Sequence, residues 1–140
     1  MPKTLRLDLV TPERQELSED VEEVILPGVE GSFGVLPEHE PLMAALQPGL
    51  LKFKANGAET IYAVGGGYAE ITRTKVVVLA DTADRADEID AAAAQQARAK
   101  ALTQLKQGVK GLELDQAEIS LKKALAQLQV VELVRRRGKP

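Results

Sequence analysis

The 140-residue chain is 44% hydrophobic and 28% charged, which suits one packed domain with an appendage and is too apolar for a disordered chain. It has no cysteine, hence no disulfide, thiolate catalyst or zinc–thiolate site; two Phe, two Tyr and no Trp make a poor stacking platform for nucleic acid. The net charge of −3 is unevenly shared: residues 1–84 carry 7 Lys and Arg against 14 Asp and Glu (−7), and residues 85–140 carry 11 against 7 (+4). An acidic front joined to a basic tail implies separate surfaces with separate partners, or a tail that rests on its own front.

The start, MPKTLRLDLV, lacks the apolar run of a signal peptide, and no stretch is apolar for long enough to span a bilayer. The expectation is a soluble protein on the cytoplasmic side. Leu5, Leu7 and Leu9 alternate with Arg6 and Asp8, the period of a half-buried strand. Thr11-Pro12-Glu13 breaks it, and Val21 to Leu26 predicts a second strand ended by Pro27-Gly28.

The stretch Val29 to Gly49 then concentrates glycine and proline around the one histidine, His39. Glycine opens backbone angles and proline fixes them, so the spacing predicts a shaped, rigid loop suited to contact. Beyond it, Leu51 and Phe53 alternate with Lys52 and Lys54, and Asn56-Gly57 predicts a hairpin turn. Strands at Thr60 to Val64 and Tyr68 to Arg73 flank Gly65-Gly66-Gly67, and Val76 to Ala80 ends the series. The three glycines match no phosphate-cradle pattern and read as a bulge or close backbone approach. Many short strands with frequent turns point to a sandwich or barrel.

At Ala80 the pattern changes. Asp87 is placed to cap a helix, with Asp90 three residues on, and Ile89 to Gln107 is rich in helix formers. Gly108 and Gly111 punctuate the next few residues. Leu114, Ala117, Leu121, Ala124, Leu128 and Val131 then recur at spacings of three and four, one apolar seam of a second helix. Arg135, Arg136 and Arg137 sit at its negative end. The residues alone describe an acidic sandwich carrying a basic helical hairpin. They leave open a binding or regulatory part, a stand-alone adaptor and a small enzyme centred on His39.

The runs GSFGVLPEHEPLMAALQPG, GGGYAE, VVVLADTA, DEID and AEISLKKALAQLQVVEL, in that order, closely resemble the epsilon subunit of F-type ATP synthases, called delta in mitochondria. The most specific part is Gly-x-x-Gly-x-x-Pro-x-His-x-Pro, Gly31 to Pro41. The resemblance implies a ten-stranded β-sandwich (residues 1–86) followed by an antiparallel two-helix hairpin (residues 87–140). It implies a non-catalytic part of the rotor's central stalk, peripheral on the cytoplasmic face of the bacterial inner membrane and touching the membrane only through the complex, with no role for nucleic acid. The sandwich would join the gamma subunit to the polar loops of the c ring. The hairpin would rest beside the sandwich or extend toward the beta and alpha subunits and inhibit hydrolysis.

Residue by residue, Glu30, Ser32 and Phe33 fall on the family's c-ring loop, and His39 and Pro41 on the loop near gamma. Lys122, Lys123 and Arg135 to Arg137 would meet acidic segments of beta. The family's ATP motif, (Ile/Leu)-Asp-x-x-Arg-Ala, here ends in alanines: Ile89 and Asp90 remain, but Ala93 stands in place of arginine, followed by Ala94. Lys123 and Gln127 occupy second-helix positions where ATP-binding relatives carry arginine. No cofactor is expected, and ATP binding no better than weak.

Overall fold

The computed structural model describes residues 3–137. Eight strands form one sheet: β1 (Leu5–Val10), β2 (Gln15–Val21), β3 (Glu23–Gly28), β4 (Gly31–Val35), β5 (Leu42–Ala55), β6 (Ala58–Ile71), β7 (Lys75–Ala80) and β8 (Ala83–Arg85). A 3₁₀ turn (Ala86–Glu88) leads into α1 (Ala91–Lys106) and α2 (Leu112–Arg137). The order is β2-β1-β7-β6-β5-β3-β4, with β8 also on β6; β1 and β7 are parallel and the other pairs antiparallel.

The sheet closes over its own core. Leu5, Leu7 and Leu9 of β1, Val24 and Leu26 of β3, Leu51 and Phe53 of β5 and Val76 and Val78 of β7 all enter one buried cluster. How one sheet makes two layers is visible in β5 and β6, each 14 residues long. The inward positions of β6 are Tyr62 and Val64, then Ala69 and Ile71; those of β5 are Leu46, then Leu51 and Phe53. In both strands the parity changes mid-strand, where Pro48 pairs with Gly65 and Leu46 with Gly67. A strand keeps side chains on one face with period two, so a parity change marks a corner. Gly67 has a φ of 138°, and the Leu79 carbonyl fills the place of a Cβ. The glycine triplet is thus the close backbone approach that its composition suggests.

Sandwich plus hairpin stands, but the strand count is eight rather than ten, because β5 and β6 each run unbroken through both layers. Pro27-Gly28 closes β3 instead of turning it, and the reversal falls at Val29-Glu30. Strand β2 escaped the sequence reading, its burial pattern being too polar to alternate. Asn56-Gly57 makes the expected turn, with φ of 53° and 77°.

Helix α1 starts at Ala91, later than Ile89, and its cap is Asp90, not Asp87. The Asp90 carboxylate accepts the Ala93 N–H at 3.1 Å. Asp87 instead pairs with the Arg85 guanidinium at 2.8 Å in the preceding 3₁₀ turn. The helix ends on Gly108 (φ 76°), where the N–H groups of Gly108 and Val109 donate to Leu105 and Gln104 carbonyls at 3.2 and 3.4 Å. Helix α2 carries two buried stripes, not one seam. Ala117 and Ala124 are buried as expected, but Ala126 and Val130 form a second stripe packed on Ile61 and Ala63 of β6. No described helix is long and apolar enough to cross a membrane. Residues 1, 2 and 138–140, the outer ends of the two expected domains, lie outside the described residues.

Candidate functional site

Three regions hold the residues singled out in the sequence. The first is the end of the sandwich formed by the β3–β4 turn and the 36–41 connection. Glu30 sits exposed at the turn, Ser32 is exposed on β4, and the half-buried Phe33 packs on the core. Ser32 and Phe33 therefore lie on a paired strand, opposite Pro27 and Leu26, rather than on a loop. The connection is pinned by the Glu38 N–H donating to the Arg73 carbonyl at 2.8 Å. His39 is half-buried, and its Nδ1–H donates to the Glu40 carbonyl at 2.6 Å. That bond fixes the ring and its tautomer, with the proton on Nδ1. Pro41 is exposed beside it. A cleft of about 510 Å³ joins Glu30, Ser32, Phe33 and His39 to Leu42 and Met43 of β5.

That cleft adjoins an exposed apolar surface absent from the sequence reading. Val10 pairs with Leu79, Leu79 with Tyr68 and Tyr68 with Ala45, one row across four adjacent strands. Tyr68 and Leu79 are 60% and 55% exposed, and Met43, one outward position along β5, is 65% exposed. The available signal was Val76 to Ala80, apolar at every position. A strand with one solvated face alternates, and one that is apolar throughout requires cover on both faces.

The second region is a cleft of about 380 Å³ between the helices and the sandwich. It unites Ile89, Asp90, Ala93, Ala94, Lys123 and Gln127, which are distant in sequence. Two acidic groups join them, Asp84 and Glu88. Gln127 Nε2 donates to Asp84 Oδ2 at 3.3 Å. Glu88 accepts the Arg85 N–H at 3.0 Å and lies 3.5 Å from the Arg14 guanidinium. Hydrogen bonding to Asp87 raises the Arg85 pKa, and the same bond lowers that of Asp87. The lining thus offers three carboxylates against one lysine, and both Asp90 and Gln127 are engaged in holding the fold.

The third region is the proposed basic face, which the structure does not bring together. Lys123 faces the acidic cleft, while Lys122 borders a separate groove with Lys52 and Leu50. Arg135 and Arg136 pair with Glu132 of their own helix at 3.9 and 3.1 Å. Arg137 crosses to Glu59 at the start of β6. In this docked conformation the arginines are paired, and Glu59 is a partner that the sequence did not reveal. Among the described residues no group of His, Asp or Glu is arranged to hold a metal ion.

Comparison with known proteins agrees with this arrangement over nearly the full length. Residues 4–86 match the family described as the ATP synthase delta/epsilon chain β-sandwich domain, and residues 87–132 its long α-helix domain. The ATP synthase epsilon chain of Herpetosiphon aurantiacus is 47% identical over 133 residues, 95% of this chain and 98% of that one. That of Desulforamulus reducens is 42% identical, over 94% and 100% of the two chains. Among solved structures, a chain of the Euglena gracilis mitochondrial ATP synthase OSCP/F1/c-ring assembly superposes with a TM-score of 0.80 at 25% identity, covering 96% of this chain and 83% of that one. A chain of the Tetrahymena thermophila central stalk and c ring shares the fold, with a TM-score of 0.58 at 15% identity. With its sandwich, its docked helix pair and relatives of near-identical length, the chain belongs to the delta/epsilon family of ATP synthase subunits, a non-catalytic component of that complex.

Proposed function

We propose that this protein is the rotor subunit that links gamma to the c ring and restrains ATP hydrolysis through its helices, held peripherally at the cytoplasmic face of the bacterial inner membrane by those partners. The observation that carries the reading is the row Val10–Leu79–Tyr68–Ala45, exposed at Leu79 and Tyr68 and half-buried at its two ends. An apolar stripe of this kind on a sheet otherwise well buried marks a protein contact, and gamma is its proposed occupant. Glu30, Ser32 and Phe33, at the end of the same layer, then meet the polar loops of the c ring. His39 and Pro41 border gamma.

The hairpin is the regulatory part. Its contact with the sandwich is centred on Ala126 and Val130 against Ile61 and Ala63, with Leu50, Ala86, Ile89 and Leu133 partly buried around them. Four buried residues, two of them alanine, seat the hairpin, against eighteen in the sandwich core, so undocking costs less than unfolding the sandwich. Extended, the helix pair would present Lys122, Lys123 and Arg135 to Arg137 to the beta and alpha subunits. ATP is a weak ligand of the degenerate cleft at best. Ala93 offers no charged fork for phosphate, and Asp84, Glu88 and Asp90 outnumber Lys123.

The test is reconstitution of stalk-depleted enzyme. Tyr68→Asp should abolish binding to gamma while leaving the isolated protein folded. A chain ending at Ala86 should still bind gamma and support synthesis but release the restraint on hydrolysis. Full binding by Tyr68→Asp, or a truncated chain that cannot bind, would refute the assignment of the sandwich as the anchor.

A further inference from the structure

The hairpin docks through one row of side chains. Ala126, Val130 and Leu133 of α2, at spacings of four and three, pack on Ile61 and Ala63 of β6. Glu59 is the next residue of the same parity on β6, and Arg137 continues the helix row four residues beyond Leu133. These two close the row as an ion pair. At its other end Gln127 donates to Asp84, which pairs with Ala63 in the β6–β8 ladder. An apolar middle is thus bounded by two polar contacts, and the charged one lies at the C-terminal turn of α2.

The three arginines of that turn differ in what holds them. Arg135 and Arg136 pair with Glu132, 3.9 and 3.1 Å away on the same helix. Those pairs travel with α2 and persist wherever the helix lies. Arg137 alone of the three takes its carboxylate from the sandwich, 78 residues away in the chain. Undocking therefore leaves two pairs intact and breaks one. The Glu59 side chain is 27% exposed, so solvent and salt screen this pair less than a fully solvated one. Lys54 stands opposite Glu59 in the β5–β6 ladder, so the carboxylate keeps a cation beside it when Arg137 leaves. The sandwich releases the arginine without stranding a charge.

We infer that Glu59 is an internal competitor for Arg137: it offers the guanidinium the carboxylate that an acidic partner would supply, and so holds the hairpin back from that partner. This rests on the function proposed above, in which the extended helices meet the beta and alpha subunits. One guanidinium does not pair with Glu59 and with a separate subunit at once. The two halves of the pair therefore have different jobs. Loss of Glu59 frees the hairpin and leaves Arg137 for the partner. Loss of Arg137 frees the hairpin and removes the partner contact with it.

The chain has no cysteine, so spin labels at Glu70→Cys on β6 and Glu118→Cys on α2, both exposed, report docking in the full-length protein. Glu59→Gln and Arg137→Ala should each raise the undocked fraction about two- to fivefold, the scale of one partly screened ion pair. Glu59→Gln added to Arg137→Ala should change nothing further, since the pair is already gone. Arg136→Ala, whose partner lies on its own helix, should dock as the wild type does. In the reconstituted enzyme Glu59→Gln should restrain hydrolysis about twofold or more beyond the wild type, and Arg137→Ala no more than the wild type. Unchanged docking in Glu59→Gln overturns the inference, as does equal release by Arg136→Ala or a further rise in the double variant. Release by Glu59→Gln without a stronger restraint, where the wild-type helices do restrain hydrolysis, overturns the competition. Wild-type helices that exert no restraint refute the function on which it rests.

Discussion

The sandwich and the hairpin are held together by different means. The sandwich buries large side chains on every layer, with Leu5, Leu7, Leu9, Leu26, Leu51 and Ile71 among those fully inside. The hairpin's buried residues are Ala94 and Ala101 on α1, and Ala117, Ala124, Ala126 and Val130 on α2. Burial of a leucine contributes severalfold more than burial of an alanine, so the two helices hold each other more weakly than the layers of the sandwich do. Polar contacts complete the docking: Gln127 with Asp84, and Arg137 with Glu59. The lesson is that a small-residue interface gives close approach without strong adhesion.

That contrast can be broken most strongly from the sandwich side. Leu51→Ala, at a fully buried position, should cost about 2–5 kcal/mol and lower the melting temperature of the whole protein. Val130→Ala, equally buried, should cost about 1–2 kcal/mol and act locally, freeing the hairpin while the sandwich melts as before. A distance probe between α2 and β6 alongside thermal melting separates the two effects. Coupled unfolding of both regions in Val130→Ala would show one cooperative unit. Asp90→Ala removes the α1 cap and should cost about 1 kcal/mol, seen as fraying of α1 by hydrogen exchange.

Smaller effects sharpen the comparison. Replacing Arg135, Arg136 and Arg137 together by Ala should weaken inhibition of hydrolysis by degrees, since exposed pairs contribute about 0–1 kcal/mol each. Added salt should weaken it in the wild type as well. The smallest effect is acid-dependent. A 2.6 Å hydrogen bond from Ser18 and the Lys75 ammonium at 3.1 Å hold the Asp8 pKa below its usual value. A depressed folded-state pKa means that its stabilisation is complete above the unfolded value of about 3.9 and is lost as pH falls through the folded one. Acid titration should therefore loosen the β1–β2 and β1–β7 pairs, and Asp8→Asn should flatten that part of the curve.

Much of this protein is fixed locally. Leu5, Leu7 and Leu9 declare β1, Asn56-Gly57 declares its turn, and the alanine-rich segment after Asp90 declares α1, because each depends on propensities and periods within a few residues. The order of motifs was enough to indicate the family. Three features arise only when distant segments meet. Strand β2 owes its place to β1, since its own residues alternate too weakly to announce it. The corner shared by β5 and β6 exists because Pro48 faces Gly65, a pairing no single segment specifies. The row Val10–Leu79–Tyr68–Ala45 draws one residue from each of four strands, so it is set by register and not by spacing. Sequence thus decided most of the elements, and tertiary pairing decided β2 and which outward side chains stand together as a surface.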